Sequence, residues 1–238
     1  MFRVAAVPRR LRPTAEIHPD AILVGDPGRA MALAQVLTEQ PKMSNHARGL
    51  WGYSGLTGDG RGLTIQATGM GGPSAALVLG DLAELGVGRA VRVGTCAALG
   101  PGQPPDEPPR EPPATRPGAL ITVREARPWS VDGRGAGSPV FPDEALAVRL
   151  RSELGEAARS GRVASLDVLH SARGHATPDG DAADMQTAAL FKAGADLGVA
   201  LAAVLIVTDA EGADSLDDET LANRAAFAAE ASLRALFG

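Results

Sequence analysis

The 238-residue sequence has a single cysteine, Cys96, so no disulfide can form within the chain, which fits a reducing cytoplasm. Aromatic residues make up only 3%, leaving a core of Ala, Val and Leu and few flat rings to stack on a ligand. The longest apolar run, 197–207, has 11 residues, against the roughly 20 needed to cross a bilayer. No charged segment followed by an apolar one opens the chain, so no signal peptide is expected. Lysine is nearly missing, at 2 against 21 arginines, and acidic residues are interspersed among the basic ones to give a net charge of −5. With no basic stripe, sequence-independent nucleic-acid binding has little electrostatic support. The 4 histidines and the lone cysteine have no metal-ligand spacing, so no metal site is expected.

What is present suffices for a full core, with 45% hydrophobic residues and a mean hydropathy near zero. Short β-branched runs at 21–24, 63–68, 90–94, 119–123, 162–170 and 199–208 predict strands. Helical patterns lie between them at 29–38, 73–85, 143–158, 181–195 and 216–236. That alternation predicts an α/β fold, a sheet flanked by helices on both faces, with 199–208 as a central strand. Residues 1–238 read as one domain. Segment 101–117 carries eight of the 18 prolines and reads as an inserted, exposed loop.

Three features at strand ends suit anion binding. Gly25-Asp26-Pro27-Gly28-Arg29 places glycines, a helix start and a forked cation together, although the same residues make an ordinary turn. Gly69-Met70-Gly71-Gly72-Pro73-Ser74 is a tight strand-to-helix turn. In Arg92-Val93-Gly94-Thr95-Cys96 an arginine ends a buried strand, where an unpaired charge is costly. Either an anionic ligand or an internal carboxylate would satisfy it.

Taken in order with Ala47-Arg48-Gly49, Asp184-Met185-Gln186-Thr187-Ala188-Ala189 and Val207-Thr208-Asp209, these motifs resemble the nucleoside phosphorylase family. That family includes the purine nucleoside and uridine phosphorylases. The resemblance runs over nearly the whole chain and implies a three-layer sandwich with a central mixed sheet. It implies a phosphate site of Gly25, Arg29, Arg92 and Thr95, with Arg48 donated across a dimer interface within a homo-oligomer, expected to be a hexamer. It implies a sugar site at Met185 and Gln186, and a base site at Cys96, Ala97, His175 and Asp184. The implied reaction is phosphate-dependent cleavage of a nucleoside to free base and pentose 1-phosphate, with inorganic phosphate as co-substrate and no other cofactor. Asp209 implies a purine, because an acid there assists protonation of N7, and Arg224 resembles the residue that orients it. Asp209 could otherwise cap a helix, and Arg224 could be a solvated helix residue.

Three departures stand out. The family's ribose-binding glutamate is Gln186, which keeps one acceptor oxygen and loses the charge. If that handicaps an otherwise intact site, Gln186→Glu is expected to raise activity on ribonucleosides. His175 falls where the family stacks an aromatic ring on the base, and the chain is shorter before Asp184, which predicts a more open base site. A uridine phosphorylase and a catalytically silent nucleoside- or phosphate-binding protein are the alternative readings.

Overall fold

Alternate residues of the strand Ala200–Asp209 belong to two different cores. Ala202, Val204 and Ile206 pack with one set of helices, and Leu201, Ala203, Leu205 and Val207 with another. This two-residue period on a strand apolar throughout is what a sheet covered on both faces requires. The computed structural model describes residues 10–99, 115–130, 137–168 and 178–238.

In chain order the elements are β1 (Asp20–Val24), α1 (Pro27–Leu37), β2 (Glu39–Asn45), β3 (Gly52–Leu56), β4 (Gly62–Ala67), α2 (Gly71–Glu84) and β5 (Arg89–Ala98). They continue with β6 (Leu120–Trp129), α3 (Glu144–Leu154), β7 (Ala158–Leu166), β8 (Ala182–Asp184), α4 (Thr187–Leu197), β9 (Ala200–Asp209) and α5 (Asp218–Phe237). Helices α1, α3 and α5 cover one face of the sheet, and α2 and α4 the other. The expected three-layer α/β sandwich with a central mixed sheet is the observed one.

The sheet order places the site. One edge of β5 pairs with β9 along Arg89–Ala97. On the other edge, β1 pairs only as far as Arg92, and β8 begins at Ala97. Residues 93–96 of β5 therefore face a fork between two diverging strands. Beyond the fork, β8, β7, β6 and β9 follow in order, and β9 returns to β5, so these five strands close on themselves. A cleft at the carboxyl ends of parallel strands, where neighbours part, is the usual ligand position of α/β sheets.

Four elements differ from the sequence reading. The helical pattern at 181–195 begins as strand β8, because Ala182 and Ala183 pair with β5 and β7, and the helix starts at Thr187. Local alanine preference yields there to sheet closure. Strands β2 and β3 went unpredicted: β2 is a mostly exposed edge strand containing Pro41, and β3 contains Gly52 and Gly55. The predicted strand 162–170 starts earlier, at Ala158, and ends at Leu166. Most of the 101–117 segment lies outside the described residues.

Candidate active site

Helix α1 starts where the chain leaves β1. Asp26 caps it by accepting a hydrogen bond from the Arg29 backbone N–H at 2.7 Å, with Pro27 in the first turn. This cap fixes Arg29 at the mouth of a cavity of about 620 Å³. The cavity is lined by Gly25, Arg29, Arg92, Thr95, Cys96, Ala97, Asp184, Met185, Gln186 and Asp209, together with the Gly69–Gly71 turn. Ten of the thirteen residues predicted for the site thus meet in one place.

Arg92 is buried, and three of its N–H groups are spoken for. Nε donates to Thr187 Oγ1 at 3.2 Å, Nη1 to Gln186 Oε1 at 2.6 Å and Nη2 to Asp184 Oδ2 at 3.1 Å. A guanidinium has five N–H donors, so two remain for a ligand. The guanidinium folds back over Gly94, where a Cβ would lie 2.6 Å from Arg92 Cζ. Glycine at 94 makes that fold possible. Arg29 is brought close enough to Arg92 to feel its charge. Burial chiefly, and Arg92 in addition, lower the pKa of Arg29, against the raising effect of Asp26. Two cations facing one cavity repel until an anion lies between them.

Asp184, expected at the base site, is committed to partners within the protein. Its carboxylate accepts from Ser165 Oγ at 2.5 Å, Thr187 Oγ1 at 2.6 Å and the Thr187 N–H at 3.0 Å, besides pairing with Arg92. The internal carboxylate for Arg92 therefore exists, and it coexists with a cavity-facing edge of the same guanidinium. Asp184 is a positioning residue that holds Arg92 and the start of α4.

Gln186 also departs from expectation. It is 3% exposed. Its Oε1 accepts from Arg92 and stands 3.1 Å from the Thr68 hydroxyl, which also reaches the Val24 carbonyl at 3.0 Å. Its Nε2 donates to the Gly69 carbonyl at 2.6 Å and points to the Gly71 carbonyl at 3.4 Å. Only an amide satisfies a cation on one side and carbonyls on the other. A carboxylate would oppose the Gly69 and Gly71 oxygens. The simple expectation that glutamate restores a handicapped site is therefore replaced by one in which it unlatches the Gly69–Gly71 turn.

Asp209 ends β9 at the rim and caps no helix; α5 is capped by Asp217. Its carboxylate accepts from Ser215 Oγ at 2.6 Å and Thr208 Oγ1 at 2.7 Å. These bonds, Ser215 first, hold its pKa below the usual carboxylate value, with slight burial opposing. Arg224 is not its partner. It is exposed on α5 beside Gly118, whose Cβ position lies 3.8 Å from Arg224 Nε, and it does not line the cavity. Ser215 takes the orienting place, and nothing in the spacing of 209–215 signalled it.

Cys96 is buried against the α2–α4 side, and burial, followed by Asp184, pushes its thiol well up, so it is inert. Only its backbone and that of Ala97 are suited to meet a ligand. Arg48 is exposed, at φ 60°, in a short 3₁₀ turn between β2 and β3, and it lies outside the cavity of its own chain. His175 lies outside the described residues. Among the described residues, no three His, Cys, Asp or Glu side chains group as a metal site would need. No helix among them is long and apolar enough to cross a membrane.

The family model described as the phosphorylase superfamily matches residues 19–237. The chain belongs to the phosphorylase superfamily. Within that superfamily it is 41% identical over 85 residues to a DeoD-type purine nucleoside phosphorylase of Oceanobacillus iheyensis, covering 35% of this chain and 36% of that protein. It is 38% identical over 87 residues to the DeoD-type enzyme of Caldanaerobacter subterraneus subsp. tengcongensis, covering 36% and 37%. These alignments span little more than a third of the relatives' length. The crystal structure of a purine nucleoside phosphorylase from Toxoplasma gondii in complex with immucillin-H superposes with a TM-score of 0.77 at 19% identity. That superposition covers 93% of this chain and 91% of the other and shows a shared fold.

Proposed function

We propose that the protein catalyses phosphate-dependent cleavage of a purine nucleoside to free base and pentose 1-phosphate. The observation that carries this reading is the convergence of Arg29 and Arg92 on one cavity, with two Arg92 N–H groups left unused by the described residues. A phosphate dianion neutralises that pair, and forked guanidinium donors orient it for attack on the anomeric carbon. Gly25 and Thr95 line the same cavity. A hydrolytic enzyme would have no use for a second cation there.

Asp209 lines the same cavity as the arginines, and its lowered pKa keeps it an ionised carboxylate. In this reading the purine N7 takes its proton from a solvent hydronium ion, Asp209 accepts the hydrogen bond of the resulting N7–H, and the bond from the anomeric carbon to the base breaks with its electron pair leaving on a neutral base. Met185 also lines this cavity and is assigned to the sugar. Arg48 does not line the cavity of its own chain and is assigned to the phosphate site of a neighbouring subunit, so that the working unit is a homo-oligomer built of dimers, with a hexamer as the expected form. Inorganic phosphate is the only co-substrate in this scheme, and the compartment is the cytoplasm.

The test is base release from inosine, guanosine, adenosine, 5′-methylthioadenosine, uridine and their 2′-deoxy forms, with and without phosphate. Phosphate-dependent release of a purine is expected. Release that ignores phosphate, or a preference for uridine, overturns the reading.

A further inference from the structure

We infer that Gln186 makes the site selective for nucleosides lacking the 2′-hydroxyl. This inference rests on the phosphorolysis reading for where the sugar lies: next to the phosphate held by Arg92, and therefore against Gln186, whose Oε1 is 2.6 Å from Arg92 Nη1.

The amide is occupied on every side. One lone pair of Oε1 takes Arg92, and the Thr68 hydroxyl stands at the other. The two Nε2 protons face the carbonyls of Gly69 and Gly71. The neighbouring carboxylate, Asp184, is consumed by Arg92, Ser165 and Thr187. Thr68 and Thr187 are fully buried. The polar side chains of this wall thus bind one another, and among the described residues none of them has an acceptor left for a sugar hydroxyl. Its remaining contact surface toward the cavity is Met185 and glycine backbone.

A hydroxyl pressed against such a wall loses its bonds to water and gains none, whereas a CH₂ in its place loses nothing. The expected outcome is a kcat/KM for 2′-deoxyinosine or 2′-deoxyguanosine about ten- to a hundredfold above that for the matching ribonucleoside. The Gln186 side chain also ties the Gly69–Gly71 turn to the start of α4, so its neutrality and its latch are one device.

The experiment has two arms. In the first, kcat/KM is measured on the wild-type protein for each ribo/2′-deoxy pair in saturating phosphate, and affinity for the same pairs is measured by calorimetry. A deoxy preference in rate or affinity supports the inference. Equal values, or a ribo preference, overturn it, and so does failure to bind either sugar. A deoxy preference that persists without phosphate leaves the sugar inference standing and overturns phosphorolysis instead. In the second arm, Gln186→Glu is compared. Its carboxylate is repelled by the Gly69 and Gly71 carbonyls and turns toward the cavity, so the ratio shifts toward the ribonucleoside even as total activity falls. An unchanged ratio in the folded variant shows that Gln186 is not the determinant. If the variant fails to fold, the wild-type ratios still decide.

Discussion

The Arg92 guanidinium and the Asp184 carboxylate meet at 3.1 Å with side chains only 4% and 0% exposed. The pair is what lets a cation end a buried strand beside a ligand cavity. Removing one partner of a buried pair leaves the other charge uncompensated. Asp184→Ala is expected to cost about 3–5 kcal/mol of stability, read from the urea midpoint. A loss below about 1 kcal/mol would show that water already solvates Arg92.

Gly94 gives Arg92 its place. A Cβ there would lie 2.6 Å from Arg92 Cζ and 2.8 Å from Leu205 Cδ2. Gly94→Ala is expected to destabilise the protein by about 1–3 kcal/mol as overpacking does. The displaced guanidinium should raise KM for phosphate more than KM for nucleoside. A variant with wild-type phosphate KM would remove Arg92 from the phosphate site.

Arg29 and Arg48 are assigned to one phosphate from two different subunits. Arg29→Ala and Arg48→Ala proteins should each be strongly impaired. Mixed after dissociation and reassembly, they should recover roughly a quarter of the wild-type sites, because half the dimers are hybrids carrying one intact site. No recovery, with hybrids shown to form, would place both arginines in the same chain's site or in none.

Ser215 sets the charge of Asp209. The folded pKa of Asp209 is lowered, chiefly by the Ser215 hydrogen bond, so its ionised form and the stability it adds are lost as pH falls through that lowered value. Ser215→Ala removes the largest cause. The acid limb of the kcat/KM profile should move upward toward the ordinary carboxylate pKa, while Asp209→Asn should abolish that limb and lower purine cleavage about 10²–10⁴-fold. An acid limb unmoved by Ser215→Ala would mean that another group titrates there.

Much of the fold was legible because its signals are local. The apolar run of 199–208, the helical pattern of 216–236 and the glycine turns at 25–29 and 69–74 each follow from short stretches of chain. Strands β2, β3 and β8 were not legible, because what makes them strands is the neighbour they pair with: Met43 with Tyr53, Ser54 with Thr64, Ala183 with Ala97. The site divides the same way. Gly25, Arg29, Arg92, Thr95 and Asp209 were marked by residue type at strand ends, and the cavity gathers them. Arg224 was misplaced, since a helix residue's direction depends on how α5 docks on the sheet.

The sequence by itself determined most of the elements, the two-faced core and the cations that an anion would need. Only the tertiary structure decided how those polar groups are spent. Asp184 and Gln186 look like ligand groups in the chain and become partners of Arg92, Thr187 and Gly69 once β5, β8 and the Gly69–Gly71 turn converge. A hydrogen bond formed across 94 or 117 residues leaves no periodicity to read, and which donors remain free for a substrate depends on every one of those bonds.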